Sequence, residues 1–299
     1  TGVSGSGKTT LVLESLVPAL EALTEGKPMP AHVRNIEAEG VRRVKLIDAT
    51  PVGINVRSTV ATYANVHDEW RKLFAKTKDA KARGKKAGDF SYNTGSLRCP
   101  ECDGTGVVTL DVQFLPDVEI PCPACRGSRY AKEAETIFFE NKEGERRTLP
   151  ELMASDVHEA VRFCRDEKTV AARLKILDDL GLGYLTLGEA TPALSGGEAQ
   201  RLKLASEMGR GQSDAVFVFD EPTIGLHPED VKTLVGVFER LLAAGATVVV
   251  IEHDLDVIRS ADYVVDLGPG GGEEGGRIVA CGTPEAVRNT AESRTGRFL

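Results

Sequence analysis
Two stretches of this chain carry residue types at spacings that could do chemistry: TGVSGSGKTT at residues 1–10, and the pair CPECDGTG and CPACRGSR at 99–106 and 122–129. The first fits G-x-x-x-x-G-K-[ST] through Gly2, Gly7, Lys8 and Thr9. Such a loop wraps its backbone N–H groups around nucleotide phosphates, so Gly2, Ser4, Gly5, Gly7, Lys8, Thr9 and Thr10 are the expected ATP contacts. Lys8 would reach the β and γ phosphates and Thr9 Oγ would ligate Mg²⁺. A Gly/Ser linker ending in Lys-Thr matches the composition but not the helical run that follows from Leu11 to Val17, which Pro18 is expected to check. In the second stretch Cys99, Cys102, Cys122 and Cys125 form C-x2-C-x19-C-x2-C. In a chain with no signal peptide and no run of about 20 apolar residues, that spacing reads as a tetrathiolate Zn²⁺ site in a cytosolic protein. Cys164 and Cys281 have no C-x-x-C partner and are expected to be inert.

The elements that would place the remaining chemistry lie in the last third. The apolar run Val216–Phe219 ends in Asp220 and Glu221, as a buried parallel strand does when its carboxyl end faces a ligand. Asp220 would hold the Mg²⁺ shell, and Glu221 would orient and deprotonate an attacking water. Thr247–Ile251 reads as a second such strand, followed by Glu252, His253 and Asp254, with His253 placed to touch the γ-phosphate. Upstream, Leu194-Ser195-Gly196-Gly197-Glu198 opens a helix; a hydroxyl, bare N–H groups and a positive dipole end suit a nucleotide phosphate there. A plain N-cap with a flexible glycine pair would explain the same three residues.

A length of 299 residues with 41% hydrophobic and 27% charged residues allows one substantial core or two modest ones. The net charge of −8 excludes a uniformly basic nucleic-acid binder. Locally, though, Lys76, Lys78, Lys81, Arg83, Lys85 and Lys86 face one acid, Asp79, just before the cysteines. This run is either a solvated helix face ending at Gly84 or a phosphate-contacting patch.

Val41–Asp48 alternates like a strand and is broken by Pro51 and Gly53. Because the chemistry begun at Lys8 is completed only beyond Glu198, residues 56–186 read as an insertion within an α/β domain made of 1–55 and 187–299. Its zinc module would span about 94–130. In the insertion, Asp156 is expected to cap the helix Val157–Phe163 and Gly181 to stop the helix Val170–Leu180. A P-loop normally follows a buried strand, so a preceding segment is expected to supply one.

The set GxxxxGKT, LSGGE, strand-Asp-Glu and strand-Glu-His, in that order, resembles the ATP-binding-cassette (ABC) ATPases. In that family two cassettes dock head to tail and sandwich two ATPs. The resemblance therefore implies a second cassette, from an upstream half, whose P-loop faces Ser195, Gly196 and Gly197. It sharpens to the carboxyl-terminal half of the UvrA family, the damage-sensing component of the UvrABC excinuclease, on CPECDGTG, Phe114–Val118 before Pro121–Gly127, Leu180–Tyr184, LSGGEAQRLKLASE, Asp220–His227, Ile251–Ile258, Asp266–Gly270 and Thr295–Leu299. The fold so implied is an ABC-type P-loop domain with a large, mainly helical insertion carrying the four-cysteine module. The function implied is that of a nucleotide-excision-repair ATPase that binds damaged double-stranded DNA as a homodimer, works with a UvrB-type partner and does not enter a membrane. On that reading Lys81, Arg83, Lys85, Lys86, Arg98, Arg126 and Arg129 are the expected DNA contacts.

The chain departs from the family where Asp48-Ala-Thr-Pro-Val-Gly-Ile54 stands for Asp-Gln-Ser-Pro-Ile-Gly-Arg, and where Asn93-Thr-Gly-Ser-Leu-Arg98 replaces a Gly-Gly pair with a basic residue. Ala49 cannot contact Mg²⁺ or water, which suggests a paralogue such as the UvrA-like proteins linked to drug resistance. Two other classes stay open on sequence: a transporter or ribosome-associated cassette, which leaves the cysteines unexplained, and a co-chaperone zinc hairpin, which leaves the cassette motifs unexplained.

Overall fold
A computed structural model describes residues 1–53, 55–110, 118–208 and 212–299. The chain divides into two compact units, 1–50 with 210–299, and 51–209. Residues 187–209, expected with the second cassette segment, group here with the insertion because the helix Gly196–Glu207 packs on the helices Val60–Tyr63 and Lys168–Asp179.

The first unit is built on a parallel sheet in the order Arg43–Ile47, Ala215–Asp220, Thr247–Ile251. Ile47 pairs with Phe219 and Asp220 with Ile251, which aligns the carboxyl ends of all three strands. The central strand, Ala-Val-Phe-Val-Phe-Asp, is apolar on both faces, and both are covered. Val216 and Val218 pack on Val17 and Leu20 of the helix after the P-loop, while Phe219 meets Phe238 of the helix Pro228–Ala243 at 4.8 Å.

Pro18 does not check the first helix. Wide π-type turns over Thr10–Leu16 continue into an α-helix over Val17–Glu25, with Pro18 in its first turn. Pro18 therefore sits inside one continuous helical run, where the wide turns pass into regular ones, and its missing N–H forgoes one bond to the preceding turn. The hairpin of Val264–Gly268 and Arg277–Gly282 follows, and Gly2 bridges to Leu267 in parallel register.

The second unit is mainly helical, as expected of the insertion. Val66, His67, Trp70 and Phe74 are buried along one face of the helix Val66–Phe74. Asp156 caps Val157–Phe163, and Gly181, at φ +71°, follows the end of Lys168–Asp179. Trp70 Nε1 donates to Cys164 Sγ at 3.4 Å, and burial pushes that thiol up to about 11, so Cys164 behaves as a core residue. Cys281, by contrast, is exposed. Part of the Phe114–Val118 motif, residues 114–117, lies outside the described residues, as does Ile54. Among the described residues no helix is long and apolar enough to cross a membrane.

Candidate functional site
The P-loop is held from behind by backbone. Leu267 N donates to Thr1 O at 2.9 Å, Gly272 N to Gly5 O at 3.0 Å and Gly276 N to Ser6 O at 2.9 Å. These approaches need bare glycine: a Cβ on Gly2 would lie 2.1 Å from Leu267 O, and one on Gly271 would lie 2.7 Å from Ser4 O. The glycine-rich run 268–276 is thus the wall against which the phosphate loop is shaped.

Within the loop, Lys8 is buried and its ammonium donates back to Gly2 O at 3.2 Å and Val3 O at 3.0 Å. Burial lowers its pKa, and the carboxylates of Glu221 and Asp266 pull in the opposite direction. Ser6, which the sequence does not single out, is fully buried with an Oγ that has no hydrogen-bond partner among the described residues. A loop whose lysine bonds its own carbonyls and whose buried hydroxyl has no protein partner fits a phosphate chain. Thr9 and Thr10 are exposed at the start of the helix.

At the strand ends, burial raises the Asp220 pKa, and Glu221 and Asp48 push it the same way. Carboxylates so crowded favour a divalent cation, and Asp220 with the Thr9 hydroxyl would hold Mg²⁺ here. Glu221 adopts φ +45°, a left-handed conformation that costs a side-chain-bearing residue on the order of 1–3 kcal/mol. Its N–H donates to Ile251 O at 2.9 Å, which fixes the turn. The turn brings Glu221 Oε1 to 3.5 Å from His253 Nε2, and both side chains remain partly open to solvent.

Glu252 lies between them and has no role legible in the sequence. Its buried carboxylate accepts from Thr223 N at 2.9 Å, Thr223 Oγ1 at 2.5 Å, His253 N at 2.6 Å and Asp254 N at 2.9 Å. Asp266 is a second such acid. It is buried behind the P-loop, where it accepts from Ser293 Oγ at 2.6 Å and Thr295 Oγ1 at 2.8 Å, tying the chain's tail to the hairpin that supports the loop. The available signal is an acid within an apolar strand for Asp266 and one directly after an apolar strand for Glu252.

Ser195, Gly196 and Gly197 lie in the other unit. Ser195 caps the helix Gly196–Glu207 in a reciprocal box: Glu198 N donates to Ser195 Oγ at 3.4 Å and Ser195 N to Glu198 Oε2 at 2.7 Å. Tyr184 OH donates to Glu198 Oε1 at 2.6 Å. The capping serine is therefore real, and it leaves Ser195 and Gly196 exposed at the positive end of a twelve-residue helix.

The four cysteines converge, all Sγ atoms lying within 4.8 Å of one another and all buried. Cys99 to Cys122 is 4.0 Å and Cys102 to Cys125 is 3.7 Å. Thiolates about 2.3 Å from a tetrahedral Zn²⁺ stand about 3.8 Å apart, so the cluster fits that ion and these four residues would hold it. Both knuckles turn through left-handed residues, Asp103 and Gly104 in one, Arg126 and Gly127 in the other.

The expected DNA contacts divide. Arg129 is a correction: it is buried, its guanidinium lies 5.3 Å from the Tyr92 ring centroid and donates to Val56 O at 2.9 Å, so it braces the core and cannot meet a phosphate. Arg83 donates to Thr136 Oγ1 at 2.6 Å, Lys85 pairs with Glu133 at 3.2 Å, and Arg98 pairs with Asp103 at 2.9 Å. Lys81, Lys86 and Arg126 are exposed, and among the described residues no hydrogen bond or ion pair holds their side-chain charges.

No family model matches the chain. UvrABC system protein A of Lactiplantibacillus plantarum is 46% identical over 302 aligned positions, covering all of this chain and 31% of that protein. The Thermus thermophilus protein of the same name is 47% identical over the same span, again 31% of its length. The chain thus spans about a third of the curated relatives it matches. Among solved structures, UvrA2 from Deinococcus radiodurans superposes with a TM-score of 0.89 at 44% identity, over all of this chain and 36% of that one.

Proposed function
We propose, because the whole chain matches the UvrA family in sequence and in fold, that it is the carboxyl-terminal ABC cassette of a UvrA-like ATPase acting in nucleotide excision repair. One observation carries the ATPase reading: Lys8, Asp220, Glu221 and His253 meet at the phosphate loop and the strand ends of one unit, with Glu221 turned toward His253.

Glu221 takes the proton of the water that attacks the γ-phosphate, and His253, 3.5 Å from it, orients that carboxylate and touches the same phosphate. Lys8 trades its loop carbonyls for phosphate oxygens when ATP enters. Mg²⁺ bound by Asp220 and Thr9 would neutralise charge on the phosphates. Ser195, Gly196 and Gly197 present a donor-rich helix end to the ATP of a second cassette, so each site draws on two chains or two halves. The exposure of Ser195 and Gly196 supports this role.

The insertion, stapled by Zn²⁺, binds double-stranded DNA through Lys81, Lys86 and Arg126, reads deformability rather than base sequence, and couples that binding to ATP turnover. The protein acts in the cytoplasm as a homodimer with a UvrB-type partner. Ala49 favours a second reading, a resistance-linked paralogue without the housekeeping repair role, because a methyl group cannot ligate metal or water. The test is binding of the full-length protein to matched intact and lesion-bearing duplexes, with and without ATP. ATP-dependent preference for the lesion supports repair, and equal affinity for both duplexes refutes it.

A further inference from the structure
We infer that Glu252 is a positioning residue that holds the Glu221–His253 pair at its working distance. The inference rests on the ATPase reading above. Glu252 follows the strand Thr247–Ile251 as Glu221 follows Ala215–Asp220, and the two strands are neighbours. The loops leaving them are fastened twice: Glu221 N–H to Ile251 O, and the Glu252 carboxylate to Thr223. The other carboxylate oxygen grips the backbone N–H groups of His253 and Asp254. One buried side chain therefore sets the start of the loop 221–227 and the backbone of the histidine facing Glu221.

Every partner of this carboxylate donates, two to each oxygen, so both oxygens must accept. Glutamine fills the same volume but offers one acceptor: turned toward His253 and Asp254 its NH₂ meets two N–H donors and that grip opens, and turned toward Thr223 it can donate to the hydroxyl but loses the bond to the Thr223 N–H. The substitution thus perturbs the spacing of Glu221 and His253 without touching the P-loop, where ATP affinity resides.

The experiment is steady-state ATP turnover by full-length wild type, Glu252→Gln, His253→Ala and the double variant, each checked by melting temperature. Expected are a kcat lowered on the order of 10-fold in Glu252→Gln with KM changed less than about 2-fold, and less than about 2-fold further loss when the change is added to His253→Ala. Non-additivity identifies action through the histidine, which a purely structural role does not produce. Wild-type kcat in Glu252→Gln, or the same loss in the His253→Ala background, overturns the inference. Should Glu252→Gln fail to fold, Thr223→Val removes only the hydroxyl donor, and an unchanged kcat there overturns the inference equally. A wild type that hydrolyses no ATP overturns the ATPase reading itself, a result distinct from normal turnover with an unaffected Glu252→Gln.

Discussion
The strand ends of the cassette unit and the cations of the insertion both gather charged side chains but use them oppositely. At the strand ends each charged group has a place fixed by backbone: Glu221 is held by a left-handed turn, Lys8 by a loop whose close approaches only glycine permits. In the insertion, Arg83, Lys85, Arg98 and Arg129 spend their charge holding the chain together, and Lys81, Lys86 and Arg126 remain outside. A motif defined by backbone geometry thus announces its own position, whereas a run of cations does not say which members are already engaged.

The contrast is widest at Glu221. Glu221→Gln in the full-length protein should keep ATP affinity and lose on the order of 10²–10⁴-fold in kcat, because the base is removed and the cradle stays. Near-normal turnover would move the base elsewhere. A comparable structural loss is expected from Cys122→Ser, which leaves three ligands on a site that in zinc-finger peptides contributes about 10–16 kcal/mol of apparent binding energy. Metal analysis should fall from one Zn per chain, and protease cleavage should appear within 94–130 while nucleotide binding persists.

Next in size is the division among the cations. Lys81→Glu, Lys86→Glu and Arg126→Glu should each weaken duplex binding evenly across sequences and reduce the salt slope by about 1. Arg129→Ala should instead lower the melting temperature, since its guanidinium fills the space beside Tyr92. A salt-slope change in Arg129→Ala would erase the distinction.

The smallest effect lies at a buried histidine. His67 is buried against Tyr130 OH at 2.7 Å, and burial pushes its pKa down to about 3. The unfolded chain binds a proton at about 6.5 and the folded one does not, so stability present above pH 6.5 declines as the pH falls toward 3. Between pH 6.5 and 5 the loss is about 2 kcal/mol, and His67→Gln should flatten that part of the stability profile measured by denaturant unfolding.

What was legible in sequence follows the same line. The P-loop, the acids after Phe219, the capping serine and the cysteine spacing are short-range patterns, and the structure places each as an intact local unit. Pro18 misleads because a proline usually ends a helix, and nothing local says that the turns before it widen and the helix runs on to Glu25. Glu252 and Asp266 escape a sequence reading because their partners, Thr223, Ser293 and Thr295, lie 27 to 29 residues away and meet them only in the folded unit. Arg129 misleads because its burial depends on Tyr92 and Val56, contacts that no local charge count contains.

If ATP chemistry resides at the strand ends and DNA affinity on the exposed cations of the insertion, the two properties must separate. They are measured side by side, as DNA-independent ATP turnover and duplex affinity, in full-length Glu221→Gln and in the combined Lys81→Glu, Lys86→Glu, Arg126→Glu variant. Glu221→Gln is expected to lose turnover and keep duplex affinity, and the triple variant to do the reverse. Loss of both properties in both variants, or turnover intact in Glu221→Gln, would contradict this assignment.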